Sequence, residues 1–417
     1  MRSLAFALIA LLPIASGCTG GDGGGGGAET RTFWSWDLSV MPPQDKEVPA
    51  TRRDVTDNFY VYVEDTLWEA GEVTQAQLDD LAITLEEETP AGSIDTNAGI
   101  IDNDVATFGP IPDALDGDPR VYLLLMNIEG FQSFTFDGFF RALDQEPDGD
   151  DPNYHSNELE MLYVNAEIRA VNSTTTKSVI AHEIVHLLEW GQDPTEDGWL
   201  SETFGELGMT VNGFYTDEDW VDDFADDPSV SLLGGANSVH YGACLLFGNY
   251  LYERFGTPFI QDLASLPSNG EASIDEALAN AGETDTFEDV FLDWVAANAL
   301  DTYEFADIPE MTYARTVTTT TAGAAAIVVP DALGAKYVKI DVAGPVTLNV
   351  SHGASTPFGA RIVVMRRASA NPTTVEVTTR DASIPTFTVD VDATYDEVIL
   401  GLVAYSGAQT FTLDVTQ

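Results

Sequence analysis

Positive charge is what this chain most lacks. Only 17 lysines and arginines stand against 69 aspartates and glutamates, a formal net charge of −52 over 417 residues. Nucleic acid and bare anionic membrane surfaces are poor partners for such a chain, because both would repel it. A heavily hydrated acidic surface is the plain reading, and calcium or cationic substrates are the ligands that suit the charge. Cysteine is almost missing: Cys18 and Cys244 are the two present. Once Cys18 is set aside as a modification site, no intrachain disulfide remains, so the fold must be held by its core and by any metals it binds. Long apolar runs are missing too, since the stretch from Leu4 to Ile14 is too short to span a bilayer stably. Histidine occurs five times. What is present, at 44% apolar content, suffices for about two globular domains and excludes a disordered chain.

The first residues, "MRSLAFALIALLPIASGCTGGDGGGGGAET", read as an export signal: one Arg, a short apolar run, then small residues. Ala15-Ser16-Gly17-Cys18 resembles a bacterial lipobox, which implies a lipoprotein-type signal peptide over 1–18 and lipidation at Cys18. Residues 19–30 then form a glycine-rich flexible tether. The expected location is the bacterial cell envelope, as a lipoprotein, or the extracellular space, with membrane contact only through that anchor.

Beyond the tether, "DNFYVYVED", "RVYLLLMNI" and "LEMLYVNA" are strand-like and apolar in their middles, as strands covered on both faces are. "VTQAQLDDLAITLEEET" reads as a helix with Thr74 and Gln77 as a capping box and Leu78, Leu81 and Leu85 on one face. Past Thr174 the pattern turns helical: one helix carrying histidines, one near Leu200 to Asn212, one closing at Gly256, and "DTFEDVFLDWVAANAL" with Asp285 and Glu288 as N-cap and N3 partner. A sheet-rich half followed by a helical half predicts an α+β domain over 31–312. From Tyr313, tryptophan disappears and eight short β runs recur, among them "KYVKIDV", "RIVVM" and "EVILGLV". Residues 313–417 are therefore expected to form an accessory all-β sandwich.

Two of the five histidines flank a glutamate in "SVIAHEIVHLLEW", as His182-Glu183-Ile184-Val185-His186. At i and i+4 both imidazoles lie on one helix face and can reach a single ion, while Glu183 aims its carboxylate at a water on that ion. The alternative is an amphipathic core helix with two half-buried histidines. Catalytic zinc needs a third protein ligand and one open position. "DGWLSETFGELGM" offers Glu202 and Glu206, again i and i+4: Glu202 as ligand, and Glu206 accepting a hydrogen bond from a ligand histidine. His240 or Tyr241, just before a later helix, are the candidates for donating to an oxyanion. The acidic run Asp144 to Glu158 has the oxygen donors of a structural calcium site, although a solvated loop is the plainer reading.

With "YVYVED", "DPRVYLLLMNI", "SNELEMLYVNA", "WLSETFGEL" and "HYGACLLFGNYLYERFG", these pieces resemble the gluzincin metallopeptidases over Tyr60 to Gly256, most closely the hyicolysin-type neutral zinc metallopeptidases. The resemblance implies a zincin-like metallopeptidase domain, zinc held by His182, His186 and Glu202, and Glu183 as general base. Ser201-Glu202-Thr203 stands where Asn-Glu-Gly is common, and only residues 187–201 separate the second histidine from Glu202. The expected function is an exported zinc endopeptidase acting on peptide or protein substrates as a monomer. The rivals are an inactive zincin-fold surface lipoprotein that binds without cutting, against which an intact Glu183 argues, and a zinc aminopeptidase, for which no "GxMEN"-like signature is present.

Overall fold

The computed structural model describes residues 29–416 apart from 114, 133, 150–153, 236, 319–323, 343–345, 353–358, 369–370, 382–385 and 392–394. The signal peptide, Cys18 and all but the end of the tether lie outside the described residues. The chain forms two compact units. One runs to Thr216 and includes Arg254–Ala277; the other comprises Asp217–Glu253 and Leu278–Gln417. Composition alone put a boundary at Tyr313, but helical residues on its N-terminal side belong to the same unit as the β-rich end.

The first unit is built on a six-stranded sheet, ordered β1-β2-β3-β4-β6-β5, of β1 (Thr30–Asp37), β2 (Gln44–Val55), β3 (Phe59–Glu64), β4 (Val121–Met126), β5 (Gly138–Phe140) and β6 (Met161–Asn165). The three strands expected from their apolar centres, β3, β4 and β6, pair in parallel. β1 and β2 add an antiparallel hairpin at one edge, and β5 runs antiparallel to β6 at the other. The hairpin is absent from the sequence reading because charged residues and Pro49 break the apolar pattern of β2. It nonetheless contributes Phe33, Trp36, Leu38, Val48 and Ala50 to a core shared with Tyr62, Leu124, Met126 and Tyr163. The alternate residues Val61, Val63, Leu123, Leu125, Leu162 and Val164 are buried on the opposite face.

Around this sheet lie α1 (Asp65–Ala70), α2 (Gln75–Glu86), α3 (Ile100–Phe108), α4 (Thr174–Trp190) and α5 (Gly198–Val211). The capping box of α2 is formed, Gln77 Oε1 accepting from the Thr74 amide at 2.8 Å, and Leu78, Leu81 and Leu85 are buried. α4 packs on β5, β6, α3 and α5. The acidic run is tied inward: buried Arg141 pairs with Asp45 at 2.7 Å and Asp144 at 3.3 Å, and Asn157 donates to Asp144 at 2.9 Å. Two of the oxygen donors counted for calcium are therefore committed to the fold itself.

The second unit takes α6 (Glu218–Asp226) and α7 (Ser238–Phe255); the chain then returns to the first for α8 (Thr257–Leu263) and most of α9 (Glu271–Ala281). α10 (Phe287–Leu300) follows, and its cap differs from the sequence expectation by one residue. Thr286 and Asp289 form the capping box in place of Asp285 and Glu288. Asp289 Oδ2 accepts from the Thr286 amide at 2.9 Å, while Glu288 turns away to pair with Arg361 at 3.1 Å. Among the described residues, nine strands complete the unit: β7 (Tyr313–Thr318), β8 (Ala325–Val329), β9 (Gly334–Asp341), β10 (Val346–His352), β11 (Ala360–Ala368), β12 (Asn371–Asp381), β13 (Thr386–Val391), β14 (Glu397–Ala404) and β15 (Gln409–Thr416). They form two sheets, β13-β10-β15-β8 and β12-β11-β14-β9-β7. Ile327, Val329, Phe411 and Leu413 of the first share one core with Ile340, Ile362, Val364, Leu400 and Leu402 of the second, the arrangement of packed sheets. α10 lies against β11 and β14.

Candidate metal centre

The site grows out of two helices that are apolar almost all round. α4 is capped by Ser173, whose side chain accepts from the Thr176 amide at 3.2 Å. From Ser178 to Glu189 every residue is buried, as is every residue of α5 from Trp199 to Met209. Burial of this kind is expected of helices that pack on several neighbours. It makes the polar residues within them costly unless something compensates.

Those polar residues converge. His182 Nε2 lies 3.0 Å from His186 Nε2 and 3.4 Å from Glu202 Oε2, and the last two are 3.8 Å apart. Among the described residues, these three form the one group of His, Cys, Asp or Glu arranged to hold a metal ion. The other ring nitrogens face acceptors. His182 Nδ1 is 3.5 Å from Glu206 Oε1. His186 Nδ1 is 3.1 Å from Ser201 Oγ, whose own hydrogen goes to Glu189 Oε2 at 3.0 Å. With these acceptors on their Nδ1 sides, both rings can carry the proton on Nδ1 and offer their Nε2 lone pairs to an ion.

Three ligand atoms this close together are spaced as they would be around one cation. Zinc ligands at about 2.0–2.2 Å in a tetrahedron stand roughly 3.3 Å from one another, and the three separations straddle that value. Charge balance agrees. Glu183, Glu189 and Glu202 are buried, and none of them pairs with a lysine or arginine among the described residues. Among the described residues, Glu202 Oε2 accepts no hydrogen bond. The residues present thus fit a divalent ion held by two imidazoles and one carboxylate.

Protonation follows the same burial. Burial, with His182 beside it, holds the His186 imidazole well below the usual histidine range, so the ring is neutral as a ligand must be. Burial pushes Glu183 up to about 8; His182 and the nearby Phe140 amide oppose the shift, and Glu202 and Asp137 add to it. Burial also raises Glu189 well above its usual value, against the Ser201 hydrogen bond. The Phe140 amide is the hydrogen-bond donor beside the Glu183 carboxyl. A buried carboxyl group with its proton affinity raised, next in sequence to the candidate ligands, is placed to exchange a proton with whatever enters.

Two glycines make the packing possible. A Cβ at Gly205 would come within 2.6 Å of His182 Cε1, and one at Gly138 would meet Val179 Cγ1 at 2.7 Å and Glu183 Cγ at 3.4 Å. The first lets α5 close onto the His182 ring. The second lets β5 pass beside Glu183.

His182, Glu183, His186, Glu202 and Glu206 are thus together in the first unit. His240 and Tyr241 belong to the second. There His240 Nε2 is 2.9 Å from the Leu232 carbonyl, and Tyr241 packs on Trp220 with ring centroids 4.9 Å apart, both side chains being buried. Ser201, Glu189, Gly205 and Gly138 are absent from the sequence reading as site residues. Ser201 stood out there only as a departure from a familiar motif, and Glu189 had the signal of lying three residues beyond His186.

No protein-family model matches this chain, and no curated protein matches it. Among solved structures, the pre-peptidase C-terminal domain of a collagenase from Bacillus anthracis is 12% identical, covering 26% of this chain and 100% of that one at a TM-score of 0.21. PliG, a periplasmic inhibitor of g-type lysozyme from Aeromonas hydrophila, is 14% identical and covers 24% of this chain and 96% of that one at a TM-score of 0.17. Likenesses this slight bear on neither the fold of the whole chain nor its activity.

Proposed function

We propose that this protein is an exported, lipid-anchored zinc endopeptidase of gluzincin type. The observation that carries the reading is the meeting of His182 Nε2, His186 Nε2 and Glu202 Oε2 within 4.8 Å of one another, next in sequence to a buried Glu183. A bound divalent ion supplies Lewis acidity toward water and a substrate carbonyl. The protein's own part is proton traffic and orientation. Glu183 takes a proton from the attacking water and delivers it to the departing amine, a role that its raised affinity for protons suits. Glu206 and Ser201 face the two imidazoles on their Nδ1 sides, which would leave both Nε2 atoms available to hold the ion.

An endopeptidase needs room for a chain on both sides of the scissile bond. β5 is an edge strand of its sheet, and Gly138 in it lies close enough to Glu183 that an added Cβ would stand 3.4 Å from Glu183 Cγ. An extended peptide laid along that edge would pair with backbone and pass the carboxylate.

Metal analysis of the purified protein, beside casein digestion with and without a chelator, tests the proposal. Glu183→Gln should keep zinc near one equivalent and lose about 10²–10⁴-fold in turnover, whereas Glu202→Gln should lose the metal. A protein without bound zinc, or an E183Q variant that digests casein at the wild-type rate, overturns the reading. An inactive binding protein would hold zinc yet leave casein intact.

A further inference from the structure

The two imidazoles of the centre are held in different ways. His182 Nδ1 faces the Glu206 carboxylate directly at 3.5 Å. His186 Nδ1 faces a hydroxyl, Ser201 Oγ at 3.1 Å, and that hydroxyl donates onward to Glu189 Oε2 at 3.0 Å. All three members of this chain are buried, His186 and Ser201 almost completely and Glu189 at 4% exposure.

We infer that Ser201 and Glu189 form a two-membered relay that positions His186 for metal binding. This inference rests on the proposed metal centre and adds residues to it. A serine hydroxyl can either donate to an imidazole nitrogen or accept from it, so alone it does not fix which ring nitrogen carries the proton. Glu189 removes the ambiguity. By accepting the Ser201 hydrogen it leaves only a lone pair to meet His186, and this puts the imidazole proton on Nδ1 and the bare pair on Nε2. Glu189 lies three residues after His186 on α4, on neighbouring helix positions, while Ser201 comes from α5 next to Glu202. The relay therefore also couples the two ligand-bearing helices: His186 and Glu202 are brought to one ion by elements joined through Ser201. Ser201 and Glu189 are positioning residues, acting through His186 and not on substrate.

Zinc affinity, measured on purified folded protein by competition with a chromophoric chelator, is the test. Ser201→Ala should weaken zinc about 10- to 100-fold. Glu189→Met, which fills similar space without an acceptor, should do the same, and Glu189→Gln, whose amide oxygen can still accept, should keep most of the affinity. The double variant S201A/E189M should bind no more weakly than either single variant, because both interrupt one chain. Cobalt(II) in place of zinc gives a second readout: its visible absorption should change in S201A and E189M and stay as wild type in E189Q. A purely structural role would lower the melting temperature of the metal-free variants and leave affinity and cobalt spectrum untouched, which would overturn the relay. So would single effects that add in full. Wild-type protein that takes up zinc while S201A binds it equally well defeats the relay alone; wild-type protein that takes up none defeats the metal centre with it.

Discussion

A methyl group at position 205 has nowhere to go. The ideal Cβ would lie 2.6 Å from His182 Cε1 and 2.8 Å from both ring nitrogens, and the ring cannot swing aside while its Nε2 must meet His186 and Glu202. Gly205→Ala should therefore cost about 1–3 kcal/mol in stability, as overpacking does, and weaken zinc binding as well. Thermal denaturation with and without zinc reads both; a variant with wild-type melting temperature and zinc affinity would show that the helices can part without loss. At this scale the sequence displayed His182, Glu183 and His186 through their spacing and Glu202 through its helical neighbourhood. It could not display Gly205 or Ser201 as site residues, since their importance lies in how closely α5 approaches α4.

Elements show the same division. α2 was legible to its caps because Thr74, Gln77 and the leucines are local signals, and local hydrogen bonds decide them. α10 was legible in extent but not in cap: acidic side chains crowd its start, and two registers of capping box compete over one residue. In the structure Thr286 wins, and Glu288 instead reaches Arg361 of β11. Thr286→Ala should lower the stability of the second unit by about 1 kcal/mol, seen as a lower midpoint in urea unfolding followed by tryptophan fluorescence. An unchanged midpoint would mean that the first turn of α10 is held by its packing alone. The β1–β2 hairpin escaped sequence reading for a related reason: β2 alternates poorly, and its place is set by pairing with β1 and β3.

For the whole molecule, acidity and burial act together. Asp104 is fully buried; it accepts from Asn212 at 2.6 Å, and burial raises it well above its ordinary value of 3.8 despite that bond. Between 3.8 and its raised value, the folded state keeps a proton that the unfolded chain has released. Stability therefore falls as pH rises through that window and levels off above it. Metal-free protein should accordingly gain melting temperature on mild acidification, and Asp104→Asn should flatten that part of the profile; a profile as steep in D104N as in wild type would assign the slope to other groups. The net charge of −52 also means that an anionic bilayer offers this surface no attraction. The proposed membrane attachment would then rest on lipid at Cys18, and Cys18→Ala should move the protein from the membrane fraction to the soluble one on ultracentrifugation. Retention of C18A in the membrane fraction would refute the anchor.

Local pattern along the chain sufficed for α2, α4, α5, α7 and α10, for the apolar strands β3, β4 and β6, for the excess of acidic residues and for the pair of histidines one turn apart, because each depends on residues near one another in sequence. It also marked the change of composition at Tyr313. Tertiary structure alone decided that Glu202 meets those histidines, that Glu189 reaches His186 through Ser201, and that helical segments before Tyr313 belong with the β-rich unit. Each of these depends on helices and sheets packing at fixed distances, which no local pattern encodes.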